Sequence, residues 1–238
     1  MDSRSSPPET LPATRDALHR LAAYVIAPVR YVATGRFGLR ATTGGFGTPP
    51  FDGRQIRVEG VDLVDDGDGE IRREPITSLS AAAAFLRSEI DPETAAEHDS
   101  PAVGDVDAHL KIDPAAAAVL AEWFGVAFAA LGAVRADAAS VDASETQLWP
   151  GHFDAAIEVG DENHRASYGA SPGDDGIAEP YLYVSVWWPD RIGIDTTDAF
   201  WNAPNFVGSM LRRSEFPEDV HPVETAMAFW RRSRDTLG

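Results

Sequence analysis

The sequence predicts an α+β protein in which antiparallel β sections pack with several helices, one of them a largely buried central helix. Two patterns support this fold class. Apolar residues recur at helical spacing in some segments and alternate with polar residues in others. Turn-rich sequences separate the alternating segments, which favours antiparallel pairing. With 238 residues, 44% of them hydrophobic, the chain is long and apolar enough to bury a core.

The N-terminal half begins with an amphipathic helix. Its apolar residues run from Leu18 to Val29 at helical spacing, with Thr14 as the N-cap and Pro28 marking the end. A small antiparallel meander follows, because short segments alternate between apolar and polar residues. These predicted strands lie at residues 36–42, 56–59 and 61–64.

Two capped helices come next. Thr77 or Ser78 caps a helix whose apolar stripe runs from Leu79 to Ile90. Asp113 and Pro114 predict a strong helix start, because the carboxylate accepts from free N–H groups and proline has none to lose. This helix reaches about Ala138 and is apolar on most faces, which is typical of the buried centre of a domain.

In the C-terminal part, apolar residues recur at every second position, which is typical of β-strands. Strands are predicted at residues 153–159, 165–169 and 181–188, with a hairpin turn between the first two. A last helix opens at Pro222 and closes at Arg231–Arg234, whose charges suit a helix C-terminus.

The domain prediction is a disordered arm over residues 1–12, which are polar and proline-containing, followed by one α+β domain over 13–238. The segment 91–107 is acidic and contains Pro and Gly, so it is predicted to be an exposed connection. A subdomain boundary there is the alternative.

The charge balance excludes some partners. Twenty Lys and Arg against 38 Asp and Glu give −18, which disfavours nucleic acid and anionic membranes. Lys111 is the only lysine. Adaptation to high salt would favour the large acidic excess, whereas coding bias in a GC-rich genome would give arginine in place of lysine; coding bias is the simpler account. No Cys is present, which excludes disulfides and thiolate sites. The N-terminus has no apolar signal region and no apolar stretch is expected to span a bilayer, so a cytoplasmic location is predicted.

The segment 148–154 carries the candidate catalytic pair. Residues two apart on a strand face the same side, so His152 and Asp154 are expected to share a polar strand face. A His beside a carboxylate acts as a general base, or both ligate a metal. The structural alternative is that His152 caps the turn after Pro150 and Asp154 is solvated.

The segment 169–181 is the second candidate. It contains three carboxylates with Gly, which suits Ca²⁺ or Mg²⁺, and Asp174 is the candidate metal ligand. Its spacing does not match an EF-hand loop. A β-turn around Pro172 and Gly173, with Asp side chains bonded to the backbone, is the favoured alternative.

Aromatic residues supply the candidate ligand site. Trp149, Glu179, Tyr181 and Tyr183 are the predicted ligand-binding residues, in a cleft of the C-terminal β meander. Aromatic residues at strand spacing are also typical of a core, and an exposed Trp-rich surface would suit a protein partner.

Several motifs together resemble an uncharacterised, mainly actinobacterial family known as a domain of unknown function. They are Leu148-Trp149-Pro150, His152-Phe153-Asp154, Ser171-Pro172-Gly173-Asp174 and Glu179-Pro180-Tyr181 with Tyr183-Val184. The resemblance implies a cytoplasmic bacterial protein without an established reaction. Family members often carry His or another polar residue where this chain has Gly151, so a two-His metal site is not implied here.

Two functions follow as hypotheses. The first is binding of a small molecule in the C-terminal meander, without a cofactor that the sequence identifies. The alternative is a hydrolase or isomerase that uses His152 and Asp154 as acid and base, with or without a divalent metal. The absence of a recognisable nucleophile favours the first. The oligomeric state does not follow from the sequence.

Overall fold

The computed structural model describes residues 7–192 and 197–237 and confirms the α+β class. Its helices are α1 (Leu11–Leu21), a π-helical turn (Ala22–Ile26), α2 (Ala27–Thr34), α3 (Leu79–Leu86), α4 (Pro92–Ala96), α5 (Pro114–Ala136), α6 (Pro189–Ile192), a 3-10 turn (Arg213–Glu215) and α7 (Pro222–Leu237). Its strands are β1 (Arg40–Thr42), β2 (Gly45–Gly47), β3 (Gln55–Glu59), β4 (Asp62–Gly67), β5 (Glu70–Pro75), β6 (Gln147–Trp149), β7 (Asp154–Val159), β8 (Ala166–Ser171), β9 (Tyr181–Val186) and β10 (Gly208–Arg212).

The described residues form two compact units. The N-terminal unit comprises residues 7–125 and 148–154, and the C-terminal unit comprises 126–147 and the described residues from 155 onward. The segment 91–107 therefore lies inside the N-terminal unit. Residues 1–6 of the predicted arm lie outside the described residues, and α1 begins at Leu11, inside the last part of that arm.

The first helix continues beyond the predicted end at Pro28. Proline lacks an N–H and crowds the carbonyl four residues earlier, which normally ends a helix. Here the π-helical turn comes directly before it, and the Ala27 N–H donates to Ala22 O, five residues back. The wider turn accommodates Pro28, so α2 runs on to Thr34 and ends at Gly35 in the left-handed region.

The first sheet is an antiparallel meander in the order β1-β2-β3-β4-β5. Alternate residues of β3 are buried, as the sequence pattern predicted. Asp65 of β4 is buried and binds both Arg54 and Arg72, with Arg54 Nε 2.6 Å from Oδ1. Burial alone would raise the pKa of Asp65, but the hydrogen bonds from the two arginines lower it below its ordinary value. The same guanidinium groups donate to Leu86 O and Phe85 O at the end of α3.

The predicted helix starts at Ser78 and Asp113 are confirmed. Ser78 Oγ accepts from Ala81 N at 3.1 Å. Asp113 Oδ1 accepts from Ala115 N and Ala116 N at 3.0 and 2.9 Å. The segment 91–107 is exposed or half-buried apart from Ala95, as predicted, but it contains α4 and is bound to α1 by hydrogen bonds from Arg20 to Val103 O and Asp105 O.

Helix α5 is partly buried rather than largely buried. Its buried residues form one stripe, which includes Leu120, Phe124 and Leu131, while Glu122 and Gly125 are exposed. The expectation that no apolar stretch is long enough to span a bilayer is wrong. By length and composition α5 alone among the described helices meets that requirement, with 44% of its most apolar window buried; a core helix passes the same test.

The second sheet is also antiparallel, in the order β10-β9-β8-β7-β6. In β9 the residues Leu182, Val184 and Val186 are buried while the residues between them are half-buried, as the alternation predicted. Helix α7 packs against β9, and its fully buried Trp230 donates from Nε1 to Tyr183 O at 3.2 Å.

Candidate functional site

The turn between β6 and β7 is built around Phe153. The Phe153 N–H donates to Trp149 O at 2.7 Å, and the residue has φ +56°, in the left-handed region. Its ring is buried against Phe46 and Phe124, with centroids 5.1 and 5.2 Å apart. The energy of burying this ring stabilises a backbone conformation that L residues rarely adopt.

This turn changes the expected placement of His152. The strand begins only at Asp154, because the left-handed residue Phe153 interrupts the extended backbone. The prediction that His152 and Asp154 share one strand face is therefore wrong. His152 is exposed in the turn, whereas Asp154 is only 5% exposed at the first position of β7. Their catalytic roles stay a prediction.

His19 of α1 anchors the same turn, and the sequence analysis missed it. Its Nε2 lies 2.9 Å from both Pro150 O and Gly151 O. Carbonyl oxygens only accept, so Nε2 carries a proton and donates to both. Burial disfavours the imidazolium and lowers the pKa of His19 to about 4, although the two carbonyls act in the opposite direction.

Gly151 lies directly against the chain after α4. A Cβ built on Gly151 would stand 1.8 Å from the backbone oxygen of His98. The His98 ring itself stacks on Phe37, with centroids 4.1 Å apart. A side chain at position 151 therefore does not fit, which accounts for the glycine in this chain.

The loop between β8 and β9 is closed by Asp174. Its Oδ1 accepts from Gly176 N and Ile177 N at 2.7 and 2.8 Å, and its Oδ2 accepts from Tyr181 Oη at 2.6 Å. This is the backbone-bonded turn favoured by the sequence analysis over a metal loop. Within residues 7–192 and 197–237, no group of three or more His, Asp and Glu side chains is placed to hold a metal ion.

Glu179, the predicted ligand-binding carboxylate, binds the 3-10 turn. Its two oxygens accept from Ser214 N at 2.9 Å and Ser214 Oγ at 3.0 Å. The Arg213 N–H donates to Pro180 O at 2.9 Å beside it. Glu179 thus connects the β8–β9 loop to the end of β10, a structural contact that the sequence analysis did not anticipate.

Tyr181 and Tyr183 lie together on the half-buried face of β9. Their ring centroids are 6.4 Å apart, and Phe206 stands edge-on to Tyr183, also at 6.4 Å. A Cβ on Gly169 of the neighbouring strand would fall 2.3 Å from Tyr183 Cζ, so the tyrosine ring covers that glycine. We call these three rings, Tyr181, Tyr183 and Phe206, the aromatic face.

Residues on β9 and its two flanking strands occupy the sheet positions next to the aromatic face, and we call them its rim. Directly opposite Tyr183 on β10 is the half-buried Met210, and Arg212 lies opposite Tyr181. Farther along β9, Ser185 is opposite Ser167 of β8, whose Oγ accepts from Trp187 Nε1 at 2.9 Å. The positions next to the aromatic face are therefore occupied by one apolar residue, two serines and one arginine.

The predicted site residues belong to different units. Trp149, His152 and Asp154 are in the N-terminal unit, whereas Asp174, Glu179, Tyr181 and Tyr183 are in the C-terminal unit. Within the C-terminal unit the structure brings Tyr181 together with both Tyr183 and Asp174. Trp149 is 40% exposed beside the turn that carries His152.

Comparison with known proteins found no matching protein-family model, curated protein or solved structure.

Proposed function

We propose that the C-terminal unit binds a small organic molecule on the aromatic face. The observation that carries this proposal is the position of Tyr183. Its ring rests on the strand at Gly169, between Tyr181 and Phe206, and it stays half-exposed. Tyrosine and phenylalanine rings with one accessible side favour contact with another flat apolar surface.

The residues of the rim and the net charge of the chain indicate which kind of molecule binds. Ser167, Ser185 and Arg212 occupy nearby register positions of the same sheet and supply polar groups that a ligand on the rings would use. A chain with net charge −18 repels polyanions. These features disfavour a polyanion and favour a molecule with an apolar ring face, which describes an aryl compound or a sugar ring. We also propose that the protein is bacterial and carries out this binding in the cytoplasm.

A probe with both kinds of ring tests the proposal. We would titrate the protein with 4-nitrophenyl β-D-glucoside and follow saturation transfer from protein to ligand by NMR. Methyl β-D-glucoside and 4-nitrophenol, titrated separately, show which ring is in contact. Saturation transfer to at least one of the three compounds is expected.

Variants locate the binding site. Tyr183→Ala and Tyr181→Ala are each expected to weaken binding by about tenfold, because each removes one ring contact. Tyr181→Phe is the matched control, since it keeps the ring and loses the hydroxyl group that donates to Asp174. Val32→Ser removes an exposed apolar side chain of the other unit and should leave binding unchanged. Equal binding by wild type and both alanine variants, or no binding of any compound, would contradict the proposal.

The alternative, acid–base catalysis by His152 and Asp154, has less support from the geometry. A general base needs hydrogen-bond reach to a substrate proton, and a partner carboxylate needs reach to the base. His152 is exposed, whereas Asp154 is buried at the start of β7. The binding function is therefore our first proposal.

A further inference from the structure

The aromatic face continues along β9 to a fourth ring, that of Trp187. Side chains two residues apart on a strand lie on the same side of a sheet, so Tyr181, Tyr183 and Trp187 share one face. The Trp187 N–H donates to Arg165 O at 3.1 Å, so the pairing with β8 reaches this residue. Trp187 is 40% exposed. We call Tyr181, Tyr183 and Trp187 the aromatic row.

The indole of Trp187 is held in place on the sheet. Its Nε1–H donates to Ser167 Oγ at 2.9 Å, and the guanidinium carbon of Arg165 lies 5.4 Å from the centre of its ring. Arg165 is itself fixed by Glu158, whose Oε2 accepts from Arg165 Nη2 at 2.9 Å. A ring that is held by two neighbours and is still partly exposed loses little side-chain freedom when a ligand stacks on it.

The ring positions follow one another along β8. The Tyr183 ring covers Gly169, whereas the Trp187 indole reaches Ser167, two residues away on β8 and therefore roughly 7 Å from Gly169. Tyr181 follows on the other side of Tyr183, with the ring centroids 6.4 Å apart. Stacked rings have centroids about 4.5 to 7 Å apart, so a single six-membered ring does not contact the whole row. A ligand that uses all three positions is a chain of linked rings.

The charges beside the row favour a neutral chain. At one end Arg165 is paired with Glu158, and at the other Arg212 is opposite Tyr181, whose hydroxyl donates to the carboxylate of Asp174. Each end thus carries a carboxylate as well as an arginine, in a chain of net charge −18. Single-stranded nucleic acid also stacks its bases on aromatic residues, but it requires a positively charged groove along its phosphates.

Serines lie between two of the ring positions. Ser185 is between Tyr183 and Trp187 on β9, directly opposite Ser167 of β8. A hydroxyl group has one donor and two acceptor lone pairs, so Ser167 retains its donor after accepting from Trp187. A sugar chain presents both surfaces that match this pattern, apolar ring faces and hydroxyl groups at the ring edges. Linked aryl rings lack the hydroxyl groups.

We propose that the aromatic row binds a neutral linear oligosaccharide, whose sugar rings stack on Tyr181, Tyr183 and Trp187. This inference rests on the proposed function, because it assigns the ligand class of the same face. Trp187 is the residue that distinguishes a chain of sugars from a single ring, since it extends the face beyond the two tyrosines.

Isothermal titration calorimetry of the full chain measures how affinity depends on ligand length. Two neutral series are compared: glucose, cellobiose and cellotetraose, which are β-linked, and glucose, maltose and maltotetraose, which are α-linked. In one of the two series we expect the dissociation constant of the tetrasaccharide to be at least about tenfold lower than that of the disaccharide, because the longer chain also contacts Trp187. The series with this gain identifies the linkage.

Variants of Trp187 show whether the gain comes from the row. In Trp187→Ala the disaccharide and the tetrasaccharide should bind with dissociation constants within about twofold of each other, and 4-nitrophenyl β-D-glucoside should bind as in wild type. Trp187→Phe keeps a ring and should retain part of the gain. Trp188→Ala is the matched control, because Trp188 is 45% exposed but lies one residue out of step with the row. It should behave like wild type.

Near-ultraviolet circular dichroism checks that each variant is folded. Trp187→Leu, which keeps an apolar side chain without a ring, gives the same test if Trp187→Ala does not fold, and its expected result is the same loss of the gain.

The outcomes separate this inference from the proposed function. Equal affinities for disaccharide and tetrasaccharide in both series, with 4-nitrophenyl β-D-glucoside still bound, would overturn the inference and leave the proposed function standing. A gain that persists without the Trp187 ring would also overturn it, and so would tighter binding of a short oligothymidylate than of either tetrasaccharide. If neither the sugars nor the nitrophenyl compounds bound, the proposed function would fail and this inference with it.

Discussion

The imidazole of His19 stacks on the ring of Phe153, with centroids 5.3 Å apart and planes 10° from parallel, while its Nε2–H is shared between two carbonyl oxygens of the β6–β7 turn. A helix residue thus holds the turn that carries Trp149 and His152. The contact joins residues more than 130 positions apart in the chain, since the carbonyls belong to Pro150 and Gly151.

This contact predicts a pH-dependent stability. The pKa of His19 is lowered from 6.5 to about 4 in the folded state, mainly by burial. The unfolded chain therefore binds more protons between these values, and stability falls as the pH falls. The stabilisation by neutral His19 is fully present above pH 6.5 and is lost as the pH falls toward 4. At pH 4.5 the free energy of unfolding is lower by about 2 to 3 kcal/mol for this reason.

Urea unfolding of wild type and His19→Gln at pH 7 and pH 4.5 measures this contribution. Other groups titrate equally in both proteins, so the wild-type stability should fall more than that of the variant. If wild type and His19→Gln differed in free energy of unfolding by the same amount at both pH values, the lowered pKa of His19 would be refuted.

The close packing around Gly151 predicts that adding one methyl group there destabilises the protein strongly. A Cβ at this position would stand 1.8 Å from His98 O, which is backbone and has to move with its chain. Gly151→Ala is expected to cost about 3 kcal/mol. Gly125 in α5 is the matched control, because a Cβ there meets nothing within 4 Å.

Replacing Gly125 by Ala should stabilise the protein by about 0.5 to 1 kcal/mol through helix propensity. Thermal and urea unfolding of both variants test the pair. If Gly151→Ala were as stable as wild type, the close contact between the turn and the chain after α4 would be refuted.

The ion pairs of Asp137 predict a second pH-dependent contribution to stability, in the C-terminal unit. Its carboxylate accepts from Arg231 Nε at 2.8 Å and from Arg234 Nη1 at 3.0 Å. These hydrogen bonds lower its pKa to about 2. Because the folded-state pKa is lowered, the stabilisation is present above the ordinary value of 3.8 and is lost as the pH falls toward 2.

Asp137→Asn should cost about 1 to 2 kcal/mol at pH 7. Asp235→Asn serves as the control: Asp235 also binds Arg234, but its side chain is 65% exposed, so its loss should cost less than about 0.5 kcal/mol. Urea unfolding at pH 7 and pH 2.5 compares both variants with wild type. Equal effects of the two substitutions would contradict a special role for Asp137.

The sequence predicted the elements whose signals are local. Ser78 and Asp113 were recognised as caps because a capping side chain bonds to N–H groups two or three residues away. Strand β9 was recognised because aliphatic residues alternate with polar and aromatic residues in its sequence, and the structure buries the aliphatic residues. The start of helix α7 at Pro222 was predicted correctly, but the helix runs to Leu237, beyond the predicted end at Arg231–Arg234, and Arg231 and Arg234 bind Asp137.

Other features depend on long-range contacts and were not predictable. Strand β10 has no alternating pattern, and the outward N–H of its residue Met210 donates to the side chain of Asn202 rather than to a strand. The left-handed Phe153 follows from packing against Phe46 and Phe124, so the alternation that placed His152 on a strand was misleading. His19 carried no signal at all, because its partners lie far away in sequence.

The β8–β9 loop provides the last prediction, which concerns divalent ions. Asp174 uses both carboxylate oxygens within its own loop, accepting from Gly176 N, Ile177 N and Tyr181 Oη. An ion that binds only the folded state must raise the melting temperature. We expect neither Ca²⁺ nor Mg²⁺ to do so, whereas Asp174→Ala should cost about 1 to 2 kcal/mol with or without the ion, as the loss of a capping side chain does. Tyr181→Phe removes one of the three bonds and should cost less than Asp174→Ala. Melting curves with and without each ion compare the three proteins, and a Ca²⁺-specific rise that Asp174→Ala abolishes would show that the loop is a metal site after all.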